Sequence, residues 1–79
     1  MGGEGKVSTI ELKSDITGTV WKILKQAGDQ VAEDEPIVIL ESMKMEIPVS
    51  SAEPGTVKEI LVEEGATVGE GAVIVRLDV

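Results

Sequence analysis

The sequence predicts an all-β domain of two four-stranded antiparallel sheets that pack face to face and are related by an approximate two-fold axis. Three observations indicate this fold: a repeat with a fixed offset, turn residues at short intervals, and strand-length runs rich in β-branched residues. The 79-residue length leaves room for one core and one small domain. We therefore expect about eight short strands, four in each half.

The repeat divides the chain into two matched halves, which run roughly from residue 7 to 41 and from 44 to 78. Gly18-Thr19-Val20 recurs as Gly55-Thr56-Val57, at an offset of 37 residues (55 − 18) that persists without a gap. Because two repeats are too few to stack into a solenoid, a closed two-fold arrangement is favoured. Further identities at this offset pair Ile23-Leu24 with Ile60-Leu61, Gly28 with Gly65, Val31 with Val68, Ile37-Val38 with Ile74-Val75, and Leu40 with Leu77.

Turn residues separate strand-length segments in both halves. Gly28, Gly65 and Gly71 occupy such turns, where a positive φ is expected. In the last segment, residues 73–78, the apolar residues Val73, Val75 and Leu77 alternate with Ile74, Arg76 and Asp78, which is the period-two pattern of a strand. Residues 26–35 are the one helical candidate, but Gly28 lies inside the segment and a proline ends it, so we expect no helix there.

The two halves meet in a predicted hairpin. Residues 36–42 and 45–51 are expected to form consecutive strands, joined by a tight turn at Met43-Lys44. Pro48 has no N–H to donate to a neighbouring strand, so its strand suits the edge of a sheet. The repeat matches Lys44 with Val7, which predicts Lys44 at one tip of the domain and Val7, beside the C-terminus, at the other.

Composition excludes several classes of function. The chain has no histidine and no cysteine, so it forms no Ser/His/Asp or Cys/His site and no disulfide, and we expect a protein that is not itself an enzyme. The net charge of −8 disfavours nucleic acid and anionic membranes as partners.

Residues 1–6 are expected to be a flexible tail. The lack of an apolar span and of a secretory signal predicts a cytoplasmic protein. We expect the isolated domain to be a monomer.

The segment Glu41-Ser42-Met43-Lys44-Met45-Glu46 carries the functional prediction. A lysine amine, once deprotonated, forms an amide with an activated carboxylate, and its long stem adds reach to the attached group. The segment resembles the biotinylation motif of biotin carboxyl carrier domains, in which a lysine between two methionines becomes biotinyl-lysine. The resemblance covers the chain from about Val7, and outside this motif it includes Gly18-Thr19-Val20, residues 27–31, residues 54–57 and residues 63–68.

This resemblance implies a flattened barrel with quasi two-fold symmetry, a barrel-sandwich hybrid, with biotin attached covalently to Lys44 in a hairpin turn. It implies a carrier that moves a carboxyl group between the biotin carboxylase and carboxyltransferase components of a biotin-dependent carboxylase, commonly one that acts on an acyl-CoA. The gapless repeat leaves no room for the protruding insertion of some members, so the chain resembles the thumbless carriers. A biotin protein ligase would be a further partner, and its candidate recognition residues are Met43, Met45, Glu41, Ser42 and Glu46.

Two other functions stay open. A lipoyl carrier has the same fold, although lipoyl-bearing relatives typically show Asp-Lys-Ala where this chain has Met43-Lys44-Met45. Barrel-sandwich segments of membrane-fusion adaptors act as unmodified interaction modules and need no lysine at the turn. The commonest biotinylation motif has alanine in place of Ser42, a small-for-small change that is expected to matter little. Trp21 corresponds to Lys58 in the repeat, so symmetry requires no aromatic residue there, and we expect packing or partial exposure.

Overall fold

A computed structural model describes residues 8–79 as eight β-strands in two antiparallel sheets, which confirms the predicted fold class. Sheet A has the strand order β1-β8-β6-β3, and sheet B has the order β5-β4-β2-β7. The predicted tail, residues 1–6, and Val7 lie outside the described residues. The strands are β1 (Thr9–Lys13), β2 (Gly18–Ile23), β3 (Gln30–Val31), β4 (Val38–Ser42), β5 (Met45–Val49), β6 (Gly55–Ile60), β7 (Thr67–Val68) and β8 (Val73–Asp78).

The two sheets correspond strand for strand under the 37-residue offset. Strands β2 and β6 have the same length and the same sequence of buried and exposed side chains. Each also carries a bulge at the equivalent place, between Val20 and Lys22 in β2 and between Val57 and Glu59 in β6. Each sheet takes two strands from either half of the chain, so neither half completes a sheet alone.

Backbone hydrogen bonds between the halves occur in symmetric pairs. The Gly28 N–H donates to the carbonyl oxygen of Val57 at 2.7 Å, and the Gly65 N–H donates to that of Val20 at 2.8 Å. Both glycines have a positive φ, 97° and 89°, and Gly71 has a φ of 88°. The predicted turn conformation of all three is therefore confirmed, and it is one that a side chain disfavours.

The core lies between the sheets and is aliphatic. Its largest fully buried side chains are Ile37 and Leu40 from the first half and their equivalents Ile74 and Leu77 from the second. Burying one such side chain contributes roughly 1.5–3 kcal/mol of transfer free energy. Because the domain has neither a disulfide nor an aromatic core residue, this aliphatic layer supplies most of its stability.

Strands β4 and β5 form the predicted hairpin. Ser42 lies opposite Met45, which leaves Met43 and Lys44 as a two-residue loop. Strand β5, which contains Pro48, lies at the edge of sheet B, and this confirms the edge position that Pro48 predicts. No membrane-spanning helix is found among residues 8–79.

Candidate functional site

Met43 and Lys44 are the two central residues of the hairpin turn, and both have a left-handed backbone. Their φ angles are 51° and 66°. Two consecutive positive φ values are typical of type I′ turns, which match the twist of the flanking strands and usually contain asparagine or glycine. For other residues the left-handed conformation costs about 1–2 kcal/mol each. The turn that displays Lys44 is therefore strained at both positions.

The side chains of the turn project into solvent. Met43 is 91% exposed and Met45 is 60% exposed, although methionine is usually buried. Lys44 is also exposed, and no carboxylate among residues 8–79 lies within ion-pairing distance of its amine. Met45 continues the inward phase of β5, but its exposure shows that it does not fill the core. The turn thus presents a primary amine between two apolar side chains.

Two contacts hold the base of the hairpin against the place where the loop after β1 enters β2. The Ser42 hydroxyl donates to the carbonyl oxygen of Thr17 at 3.1 Å. Gly18 packs so closely that a Cβ atom there would lie 2.7 Å from the carbonyl oxygen of Glu41. These contacts position the turn, and sequence reasoning gave Ser42 and Gly18 no such role. Thr17 is 25 residues from Ser42, and no local pattern signals a contact over that separation.

The turn and the described chain ends lie at opposite ends of strand β1. Thr17, which accepts the hydrogen bond from Ser42, lies in the loop that follows β1, four residues after Lys13 and directly before β2. Ser8, which precedes β1, exchanges backbone hydrogen bonds of 3.2 and 2.8 Å with Val79. Val7 itself lies outside the described residues. Its neighbour Ser8 lies beside Val79 at the end of the domain that is predicted for Val7. A partner protein can approach Lys44 without contact with either of them.

The hairpin also carries two glutamates that face each other. Glu41 and Glu46 are directly opposite across β4 and β5, and both are exposed. Like charges at opposite positions destabilise an antiparallel pair. The equivalent pair on sheet A is Thr9 and Asp78, in which the threonine hydroxyl donates to the carboxylate at 2.9 Å. The unfavourable acidic pair is therefore present beside Lys44 and absent from its symmetric equivalent.

Substituting Met43 with asparagine is expected to raise the free energy of unfolding by about 1 kcal/mol, because asparagine tolerates a positive φ better than methionine does. Urea unfolding of the unmodified chain measures this gain. Met45→Asn is the matched control, since Met45 lies in a strand, where asparagine is disfavoured, and this variant should lose stability. A Met43→Asn protein no more stable than the parent would contradict the strained turn.

Comparison with known proteins gives matches over most of the chain. The family model described as "Biotin-requiring enzyme" matches residues 4–77. The biotin/lipoyl attachment protein of Bacillus subtilis (strain 168) is 45% identical over 62 residues, which are 78% of this chain and 85% of that protein. The mitochondrial propionyl-CoA carboxylase alpha chain of Homo sapiens is 39% identical over 85% of this chain and 9% of its own length. The biotin carboxyl carrier protein of Streptococcus mutans is 42% identical over 76% of this chain and 46% of its own length.

Solved structures share the fold. The urea carboxylase of Kluyveromyces lactis matches with a TM-score of 0.84 and 30% identity, over 98% of this chain and 7% of that protein. The lipoyl domain of the Azotobacter 2-oxoglutarate dehydrogenase complex matches with a TM-score of 0.69 and 30% identity, over 84% of this chain and 94% of that domain. The similar proteins therefore include both biotin carriers and a lipoyl domain.

Proposed function

Since the chain belongs to the biotin/lipoyl attachment family, whose domains are carriers and not catalysts, we propose that this chain carries biotin on Lys44. The hairpin turn between β4 and β5 gives this proposal its main support. It presents the exposed amine of Lys44 at the tip of a hairpin, between Met43 and Met45. Other lysines of residues 8–79 lie on strands or loops along the body of the domain, and none occupies a two-residue turn.

The residues of the turn fit an amide-linked group. Lys44, after losing a proton, attacks the ATP-activated carboxyl carbon in the active site of a biotin protein ligase. A bond forms between Nζ and that carbon of biotin as the bond from the carbon to the phosphate oxygen breaks, so that AMP leaves and the nitrogen releases its second proton to solvent. The amine must enter the ligase for this step, and the exposed turn permits that entry. Met43 and Met45 offer the ligase apolar contacts, while Glu41 and Glu46 offer it negative charge.

We further propose that the chain serves a biotin-dependent carboxylase. When attached, biotin supplies a nitrogen that holds an activated carboxyl group. The lysine stem gives reach, and the turn at the end of β1 remote from Ser8 and Val79 lets the group visit separate active sites. The proposed partners are the biotin carboxylase and carboxyltransferase components of such an enzyme, with an acyl-CoA as acceptor. The match to propionyl-CoA carboxylase supports this choice.

A lipoyl group is the second candidate, and the match to a lipoyl domain is the observation that favours it. Both groups need an exposed lysine in a hairpin turn, so the fold does not discriminate between them. The residues on either side of Lys44 favour biotin. Met43 and Met45 stand where lipoyl-bearing relatives typically have aspartate and alanine, and this difference supports biotin.

The choice of group is tested by offering the unmodified chain to a biotin protein ligase and, separately, to a lipoate protein ligase, each with ATP and its own acid. Intact mass should show one biotinyl group, with lipoyl incorporation at least about ten-fold slower by kcat/KM. The variant Met43→Asp/Met45→Ala should lower the ratio of biotin to lipoyl incorporation. Selective lipoylation of the parent chain would overturn the proposal. A lack of reaction with both ligases would favour an unmodified interaction module.

A further inference from the structure

The outer face of sheet A is covered by charged residues that neutralise one another. Arg76, on the central strand β8, lies opposite Glu11 on one side and Glu59 on the other. Its Nε atom is 3.4 Å from a carboxylate oxygen of Glu11, and its Nη1 atom is 3.4 Å from one of Glu59. Lys58, the bulge residue of β6, is exposed beside this cluster. This face is a solvated surface with its own internal partners.

The equivalent positions on sheet B carry a different set of side chains. The 37-residue offset places Ile39 where sheet A has Arg76, and Ile39 lies opposite Pro48 and Lys22. Trp21 is the bulge residue of β2 and is 42% exposed, so the indole stands where sheet A has a lysine. The Lys22 amine lies 5.7 Å from the centroid of the Trp21 ring. An apolar patch of three residues thus replaces the ion-pair cluster.

This apolar patch is continuous with the acidic pair of the hairpin. Glu41 is two residues from Ile39 along β4, and Glu46 is two residues from Pro48 along β5, so all four side chains share the outer face. Within residues 8–79, neither glutamate forms an ion pair. We call this surface the sheet B face, and it consists of Trp21, Lys22, Ile39, Glu41, Glu46 and Pro48.

We propose that the sheet B face is the docking surface for the enzyme that attaches biotin, an inference that rests on the proposed function of Lys44. The partner surface would carry an apolar patch for Trp21, Ile39 and Pro48, bordered by arginine or lysine for the two glutamates. Complementary charge of this kind guides encounter and orientation, and a buried aromatic anchor supplies affinity. The other occupant of interest is a second copy of this chain, but its net charge of −8 repels the acidic pair.

The short reach of lysine brings the modifying enzyme close to the sheet B face. An unmodified lysine extends only about 6 Å from its Cα atom, so the ligase must contact the turn. A standard interface buries about 800 Å² on each partner, equivalent to a disc of roughly 16 Å radius. Ile39 lies on β4 three residues before Ser42, the last strand residue ahead of the turn, or about 10 Å along the strand. A footprint centred on the turn therefore extends onto the sheet that contains β4 and β5.

The symmetry of the domain provides a matched test. Trp21→Thr/Ile39→Thr removes the apolar patch, whereas Lys58→Thr/Arg76→Thr places the same residues at the equivalent positions of sheet A. Threonine suits strand positions, so both variants should fold. With a biotin protein ligase, biotin and ATP, the sheet B variant should show a KM for the chain that is about ten-fold higher and a kcat within about two-fold of the parent value. The sheet A variant should keep both constants within about two-fold.

The two proposals fail in different ways. A parent chain that takes up no biotin would overturn the proposed function, and the docking surface with it. A parent chain that is biotinylated normally, with a folded sheet B variant of unchanged KM, would overturn the docking surface alone. If that variant does not fold, NMR titration of the parent chain with ligase in the absence of ATP decides the matter. Amide shifts should change in β2, β4 and β5, and equal changes in β1, β6 and β8 would contradict the proposal.

Discussion

Replacing Lys44 with arginine is expected to abolish the attachment of biotin and leave the fold intact. Arginine keeps the positive charge and a long stem, but its guanidinium stays protonated and does not act as the nucleophile. Lys44 is exposed and forms no ion pair within residues 8–79, so the free energy of unfolding should change by less than about 0.5 kcal/mol. Streptavidin blotting and intact mass after reaction with a biotin protein ligase measure the loss.

Lys58→Arg is the matched control for this substitution. Lys58 is an exposed lysine of β6 that corresponds to Trp21 in the repeat, outside the hairpin. Its variant should take up one biotinyl group at the parent rate. A folded Lys44→Arg protein that is labelled to the same extent as Lys58→Arg would show that another residue accepts the group.

Substituting Gly55 with alanine is expected to give the largest loss of stability, about 3 kcal/mol, because the added atom meets backbone on a neighbouring strand. A Cβ atom at Gly55 would lie 2.3 Å from the carbonyl oxygen of Asp78. The equivalent Gly18→Ala change, with a contact of 2.7 Å to Glu41, should also be destabilising. A net stability of only about 5–15 kcal/mol makes such losses readily measurable by urea or thermal unfolding.

Gly69→Ala is the control, since nothing lies within 4 Å of a Cβ atom there, and its effect should stay within about 0.5 kcal/mol. The two glycines at close contacts differ in what they disturb. Gly18 supports the base of the Lys44 hairpin, so its substitution should slow biotin attachment as well as lower stability. Gly55 lies beside Asp78, remote from Lys44, and its variant should be biotinylated normally at temperatures where it is folded. Equal stability of the Gly55→Ala and Gly69→Ala proteins would contradict the close approach of β6 to β8.

The repeat made most of the fold predictable. Equivalent residues such as Gly28 and Gly65 recur because two equivalent backbone positions impose the same requirement, a positive φ, on each half. The hairpin was predictable from the alternation of apolar residues on either side of Met43-Lys44. Sequence alone did not reveal that each sheet combines strands from both halves. Pairing between distant strands depends on three-dimensional packing, which local patterns do not encode.

The site was less predictable than the fold. Lys44 stood out through its neighbours, but the positive φ at Met43 and Lys44 was not signalled, since the turn lacks the usual asparagine or glycine. The asymmetry of the two outer faces also required the structure. Only the strand register shows that Ile39 stands between Pro48 and Lys22, as Arg76 stands between two glutamates. In the sequence alone, these residues are scattered apolar and charged positions.

The attachment of biotin to one amine, that of Lys44, underlies the proposed function. Its most direct test is to react the parent chain with a biotin protein ligase, biotin and ATP, digest the product, and locate the adduct by fragment-ion mass spectrometry. We predict a single biotinyl group, on Nζ of Lys44. A biotinyl group on a different lysine, or no adduct under conditions in which a known carrier domain is fully labelled, would show that Lys44 is not the acceptor.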